Sequence, residues 1–302
     1  MTWTTSNIPS QHGRTAVITG TGGLGLEDAL ALARAGADVI IAGRNAQKGA
    51  EAVERVTADV PNAKVRFEQV DLASLASVET FGKRLSGQLG RLDLLINNAA
   101  VMTPPKREQT SDGFELQLGT NYLGHVALTA HLMPLLKNGK DARVVTLSSV
   151  AAREGKLDFD DLQSERSYAS MKAYGQSKLA CLMFGRELHR QSVANGWGVT
   201  SLVAHPGISR TDLLHNAPGK WSAAGMARTF LWFLFQPPAQ GALPTLYAAT
   251  SPDAQGGGYY GPHALSETRG YPTAAKVPPQ AEDRAAAERL WRTSLELTRV
   301  SF

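Results

Sequence analysis

Solid runs of aliphatic residues recur along the first two-thirds of the chain, each followed by a stretch with helical spacing. TAVIT at 15–19, DVIIA at 38–42, LDLLI at 92–96, RVVTL at 143–147 and VTSLVA at 199–204 are near-continuous; 65–70 alternates instead. A strand with apolar residues on both sides is buried on both faces, as in a parallel sheet covered by helices. Helical spacing lies between the runs: at 24–35, with Leu26, Ala29, Leu30 and Ala33 in phase, at 46–56, at 74–89 beginning with Ser74, and at 111–136. A further helix carries Tyr174 and runs to about residue 191.

Strand–helix alternation with right-handed crossovers gives an α/β fold of Rossmann type: a doubly wound parallel sheet with helices on both faces. No linker interrupts the 302 residues, so a single domain over 1–302 is expected. Beyond His205 the pattern loosens. Residues 208–236 mix glycine, proline and aromatics and are expected to cover the site; 259–260 reads as a last strand, and 281–297 as a C-terminal helix with Ala287, Leu290, Trp291 and Leu295 on one side.

Hydrophobic residues at 43% against 19% charged exclude a disordered chain. The net charge of +4 is dispersed, which argues against nucleic acid as a partner and suits an anionic cofactor. The single cysteine, Cys181, cannot form an internal disulfide; on a helix it reads as an inert thiol, and a reducing, cytoplasmic setting is expected. Residues 1–12 are polar, unlike a secretory signal. The run FLWFLF at 230–235 is too short to span a bilayer, although it could touch a membrane surface or cover an apolar pocket. No metal-ligating pattern is present.

Three motifs carry chemistry. Thr19-Gly20-Thr21-Gly22-Gly23-Leu24-Gly25 lies between the first strand and first helix, where glycines let the backbone approach a pyrophosphate at a helix N-terminus. The second strand ends Ala42-Gly43-Arg44-Asn45, without the acid that binds ribose hydroxyls in NAD sites; Arg44 suits a 2′-phosphate instead. Tyr174 and Lys178, four apart, share one helical face. A phenol ordinarily titrates at about 10, and a nearby ammonium favours the phenolate and eases proton exchange at neutral pH. Ser148-Ser149 at the end of the fifth strand places a hydroxyl near the same point.

Together with Val70-Asp71-Leu72, Asn97-Asn98-Ala99-Ala100, Asn121-Tyr-Leu-Gly-His125, Asp160-Asp-Leu-Gln163 and His205-Pro206-Gly207, these pieces resemble the short-chain dehydrogenase/reductase superfamily, in its retinol dehydrogenase-like branch. The resemblance runs from Arg14 to about Leu297 and implies hydride transfer between NADP(H) and a carbonyl or alcohol. It implies Tyr174 as general acid or base, Lys178 on the nicotinamide ribose, and Ser149 on the substrate oxygen, with Ser148 as the fallback. Asn121 would sustain a water-based proton relay to Lys178 from a local helix distortion. Gly20, Gly23, Leu24 and Gly25 would cradle the pyrophosphate, Asp71 and Leu72 would meet the adenine, and Asn98 and Ala99 would line the cleft. Pro206, Gly207 and Thr211 would frame the carboxamide. A homo-oligomer is compatible with the family, though the C-terminal extension could block a usual interface.

The chain departs from the family pattern in three places. The glycine motif is one residue short, which is expected to bring the loop closer to the pyrophosphate or to weaken its grip. The loop lacks a basic residue for the 2′-phosphate, so Arg44 would act more alone. Ala100 replaces a usual glycine. Asp28, early in the first helix, is expected to suit the helix dipole while opposing a phosphate. Trp221, Phe230, Trp232, Phe233 and Phe235 point to an apolar or bulky substrate of retinoid, steroid or aryl type. The alternative reading is a non-catalytic NADP-binding sensor or scaffold.

Overall fold

The computed structural model describes residues 2–209 and 236–302. Eight strands form one sheet: β1 (Thr15–Thr19), β2 (Asp38–Gly43), β3 (Val65–Gln69), β4 (Leu94–Asn97), β5 (Arg143–Leu147), β6 (Thr200–Ala204), β7 (Tyr259–Ala264) and β8 (Arg269–Ala274). Their spatial order is β3-β2-β1-β4-β5-β6-β7-β8, parallel throughout except for β8, which runs antiparallel to β7. The winding reverses between β1 and β4, so a crevice opens beyond their carboxyl ends.

Successive strand residues point to opposite faces, and each face has its own core. Ile18, Ile41, Ile96, Val145 and Leu202 pack beneath α1 (Gly23–Arg34), α2 (Ala46–Asp59) and α6 (Pro238–Thr250). Val17, Ile40, Leu95, Val144 and Val203 pack beneath α3 (Leu75–Gln88), α4 (Gly124–Lys137), α5 (Ser170–Asn195) and α7 (Arg284–Thr298). The α7 helix lies across the outside of α4 and α5. Trp291 stacks on Phe184 at 5.8 Å, and the Tyr122 hydroxyl meets Ser294 Oγ at 2.6 Å.

Several elements differ from the sequence expectation. The helix expected from 111 instead begins with a π-helical turn, Leu118–Leu123, leading into α4. Residues 110–115 form a turn through Gly113, and Glu115 Oε2 accepts the Leu118 N–H at 2.7 Å, so the carboxylate marks the start. The C-terminal helix begins at Arg284, not 281, because Pro279–Ala281 forms its own 3-10 turn and Asp283 caps the Ala286 N–H. The α6 helix was hidden by Pro237, Pro238 and Pro244; Pro238 takes the first helical position, where no N–H is missed. Strand β8 carries Pro272, tolerable because β8 is an edge. The turn from β7 to β8 holds Leu265, Ser266 and Glu267 with φ of 49°, 53° and 64°. Three successive left-handed non-glycine residues cost on the order of 1–2 kcal/mol each.

Asp28 departs from expectation most sharply. It lies in the second turn of α1, beyond the reach of the terminal N–H groups, and is fully buried with neither carboxylate oxygen hydrogen-bonded. It lines neither of the cavities of the crevice, and α1 packs against α6, so it faces neighbouring helices, not a phosphate. Burial, with the charge of Glu27 adding to it, pushes the carboxyl well above the usual range. The folded state therefore binds a proton that the unfolded state releases above about pH 3.9, and stability falls by about 1.4 kcal/mol per pH unit from there toward the raised folded value. Asp28→Asn removes this linkage. The thermal midpoint of the variant is expected to exceed that of the wild type by more at pH 8 than at pH 5; an equal difference at both pH values would contradict the assignment.

Candidate functional site

The crevice at the β1–β4 reversal contains two adjoining cavities. One of about 430 Å³ is walled by Gly20, Gly23, Leu24, Asn98, Ser148, Tyr174, Lys178 and Pro206. The other, of about 290 Å³, is walled by Arg44, Lys48, Asp71, Leu72 and Thr120. Gly20, Thr21, Lys48, Ala99 and Ala100 belong to both, so they form one elongated cleft.

The glycine loop fits its place sterically. Gly20 has φ of +104° and Gly23 +53°, and Gly22 is the extended residue before α1. A Cβ on Gly25 would lie 2.7 Å from Asn98 Nδ2 and 2.8 Å from Gly20 O. Gly25 therefore acts behind the loop, closing it on β4, whereas Gly20, Gly23 and Leu24 form the wall. Ala100 has no left-handed backbone, so the loss of the usual glycine there costs no strain.

Thr19 organises the base of the loop. Its Oγ1 accepts the N–H groups of Asn98 at 2.9 Å and Ala99 at 3.0 Å, and its carbonyl accepts Asn98 Nδ2 at 2.7 Å. The same hydroxyl meets His125 Nε2 at 2.9 Å. His125 Nδ1 lies 2.9 Å from the Asn121 carbonyl, which can only accept, so the proton sits on Nδ1 and Thr19 donates to Nε2. Burial, with Lys178 adding its charge against the Asn121 hydrogen bond, lowers His125 to about 4, and it is neutral at neutral pH.

Tyr174 and Lys178 stand one turn apart on α5, both buried, with Lys178 Nζ 6.0 Å from the tyrosine ring centre. Lys178 Nζ donates to Leu147 O at 3.0 Å, which pins it to the end of β5. Asn121 lies in the π-helical turn. Its side chain spans Val101 N (2.7 Å), Val101 O (3.0 Å) and Ser177 Oγ (3.0 Å). Its carbonyl accepts from His125 at 2.9 Å and from Cys181 Sγ at 3.2 Å, and the π-helical turn that carries it is the local helix distortion expected there. Burial raises the Cys181 thiol, in keeping with an inert role.

The two serines have different duties. Ser148 lies on the cavity wall, yet its Oγ donates to Lys178 O at 2.8 Å and bonds the Tyr259 hydroxyl. Ser149 Oγ accepts the Ala151 N–H at 3.2 Å at the head of a 3-10 turn, Val150–Arg153, and has no acceptor for its own proton among the described residues. Ser149 is thus the hydroxyl with a proton to offer. Asp71 and Leu72 line the second cavity, with Asp71 Oδ1 also accepting Ala73 N at 2.9 Å. Gly207 sits behind Pro206, its N–H on His205 Nδ1 at 3.3 Å. Thr211 and the aromatic residues from Trp221 to Phe235 lie outside the described residues.

Lys48 escaped the sequence reading. It stands in the first turn of α2, reaches both cavities, and like Arg44 forms no ion pair among the described residues. A lysine at a helix N-terminus opposes the dipole, and that misfit was the available signal.

The model of the family described as short chain dehydrogenase matches residues 14–220. The chain belongs to the short-chain dehydrogenase family. Within it, the chain falls in the retinol dehydrogenase-like branch. It is 39% identical to mouse retinol dehydrogenase 13 over 300 residues, covering 96% of this chain and 85% of that protein. It is 38% identical to mouse polyprenol dehydrogenase over 296 residues, again covering 96% and 85%. Among solved structures, an uncharacterised protein from Mycobacterium paratuberculosis is 37% identical, with a TM-score of 0.83, covering 100% of this chain and 99% of that one. RhlG of Pseudomonas aeruginosa, solved as an NADP active-site complex, has a TM-score of 0.66 at 24% identity over 83% and 94% of the two chains, a likeness of fold. The family is one of oxidoreductases that bind a nicotinamide dinucleotide, and the cleft fits such a group: a glycine loop in which a Cβ on Gly20 or Gly25 would meet Asn98 Nδ2 at 2.7 Å, and two cations, Arg44 and Lys48, that form no ion pair among the described residues. Among the described residues, no helix is long and apolar enough to cross a membrane.

Gly25→Ala forces Asn98 or Gly20 to move. A titration of NADPH fluorescence is expected to give a Kd at least tenfold weaker than wild type, and an unchanged Kd would show that the loop accommodates the methyl group.

Proposed function

We propose that the enzyme transfers a hydride between NADP(H) and an apolar carbonyl or alcohol, with Tyr174 supplying or taking the proton. The observation that carries this reading is the placement of Tyr174 and Lys178 on the wall of the same cavity as the glycine loop. The dinucleotide, when bound, supplies or accepts the hydride; the chain supplies the proton and the charge. In reduction, the Ser149 and Tyr174 hydroxyls donate hydrogen bonds to the substrate oxygen as negative charge builds there, and Tyr174 delivers its proton. Lys178, held on Leu147 O, would place its ammonium near the phenol and would hold the ribose hydroxyls of the bound dinucleotide. Pro206 closes the nicotinamide end of the cavity. A buried tyrosine–lysine pair on the wall of the glycine-loop cavity favours an enzyme over a sensor that only binds.

Arg44 and Lys48 favour NADP(H). Both line the second cavity, and a 2′-phosphate between them would meet two cations, whereas the NAD ribose hydroxyls would find no acid at the end of β2. Lys48 takes over the duty of the cation absent from the shortened loop. The relatives, retinol and polyprenol dehydrogenases, are named for long apolar alcohols, which supports a substrate of that class.

The test uses NADPH with a panel of all-trans-retinal, farnesal, decanal and acetaldehyde. Turnover is expected to favour the long apolar aldehydes, and a preference for acetaldehyde would exclude the substrate assignment. Tyr174→Phe is expected to bind NADPH as wild type does and to lose at least a thousandfold in kcat; full turnover in that variant would refute the proton role. For the cofactor, Arg44→Ala with Lys48→Ala is expected to weaken NADPH binding by about a hundredfold, as two charge-assisted phosphate contacts of ~1.4 kcal/mol each require. NADH binding should change less than threefold; equal losses for the two cofactors would remove the selectivity argument.

A further inference from the structure

The strained turn between β7 and β8 ends in a carboxylate that receives three donors. Glu267 Oε2 accepts from His205 Nε2 at 3.1 Å and from Arg153 Nη2 at 2.6 Å, and Oε1 accepts the Lys276 N–H at 2.9 Å. Arg153 Nη1 also holds Ser266 O at 2.9 Å, within the run of three left-handed residues. Local strain of this kind persists only where the surroundings impose it, and it gathers at functional sites.

Each donor belongs to a segment flanking the reaction cavity. Arg153 ends the 3-10 turn that Ser149 begins. His205 follows β6 and precedes Pro206, which lines the cavity. The Gly207 N–H donates to His205 Nδ1 at 3.3 Å, so Nδ1 carries a lone pair and the ring proton lies on Nε2, toward Glu267. The carboxylate therefore selects the tautomer that lets His205 hold the backbone of Gly207. The turn also approaches that backbone directly: a Cβ on Gly207 would lie 2.3 Å from Thr268 O, and Ile208 N donates to the same oxygen at 2.8 Å. Burial alone would raise the Glu267 carboxyl, yet the hydrogen bonds from His205 and the Lys276 N–H, with the Arg153 guanidinium beside it, bring it down to about 2, while burial lowers His205 and keeps its ring neutral. The carboxylate is an anion whenever the protein is folded at neutral pH.

We propose that Glu267 is a positioning residue for hydride transfer, fixing the Pro206-Gly207 backbone and the Ser149 turn at one separation through His205 and Arg153. The inference rests on the reading of this cavity as the nicotinamide end of the cleft. A carboxylate suits the role because all three partners donate. Glutamine offers one acceptor oxygen, and its amide would face a donor.

The experiment compares the wild type with Glu267→Gln and, as a second variant reached from the exposed side of the cluster, Arg153→Met. Nitrogen-15 NMR of the unliganded protein reports the His205 tautomer. Stopped-flow mixing of the NADPH complex with the best aldehyde of the panel above reports the rate and amplitude of one turnover. The Nε2–H tautomer is expected in the wild type and a mixture in Glu267→Gln. The single-turnover rate constant is expected to fall ten- to hundredfold in Glu267→Gln and three- to tenfold in Arg153→Met, with amplitude per enzyme retained. An unchanged tautomer, an unchanged rate constant, or a loss confined to amplitude would each overturn the proposal, the last by reducing Glu267 to a residue that only keeps the protein folded. Should Glu267→Gln not fold, Arg153→Met decides alone by the same rate-against-amplitude criterion. Failure of the cavity reading would register separately, as full turnover in Tyr174→Phe.

Discussion

The hydroxyl of Thr19 is where the two halves of the sheet are joined at their working end. Its oxygen accepts two backbone N–H groups from the end of β4 and donates to a buried histidine on the first turn of α4. Without it, two donors at the mouth of the crevice would be left unsatisfied, at about 1–3 kcal/mol each. Because His125 then donates to Asn121 O, the hydrogen-bond chain continues from the glycine loop into the π-helical turn, and from Asn121 through Ser177 to the backbone of Tyr174. The position of the phosphate-binding loop and that of the tyrosine thus belong to one connected structure.

Both signs of charge line the cleft, Arg44, Lys48 and Lys178 with Glu51 and Asp71, and no ion pair joins them among the described residues. Arg44 and Lys48 stand at one end without ion-pair partners among the described residues. Lys178 stands at the other, bonded to a carbonyl and not to a carboxylate. Unpaired cations facing a cavity are poised for an anion, whereas paired ones would have to break a bridge first. The carboxylate of Glu267 is removed from the cleft by one histidine, so it can act on the backbone of the nicotinamide end without opposing a phosphate.

Much of this was legible in the chain. The strands β1, β2 and β5 and the pairing of Tyr174 with Lys178 were readable because burial on both faces forces continuous aliphatic runs, and because helical spacing fixes which residues share a face. Less legible were α6, whose prolines hide a buried helix, β8, whose glycine and proline are tolerated only at an edge, and the start of α4, which a carboxylate from a neighbouring turn decides. Asp28 was misread because its position in the chain says only that it is near a helix start; whether it faces a phosphate or an apolar seam depends on the helix packed against it.

The order of residues by itself determined the fold class and the family, since these follow from periodicity and from short motifs whose spacing is local, and it singled out Tyr174 and Lys178 as the groups to look for on one wall. Only the tertiary structure decided which hydroxyl of Ser148 and Ser149 has a proton to give, that Lys48 joins Arg44, and that a glutamate more than a hundred residues after Ser149 governs the turn that Ser149 begins. The physical reason is common to all three. A hydrogen bond or a shared cavity wall depends on separation in space, and the doubly wound sheet gathers the ends of distant strands at one edge, where chain distance carries no information about contact.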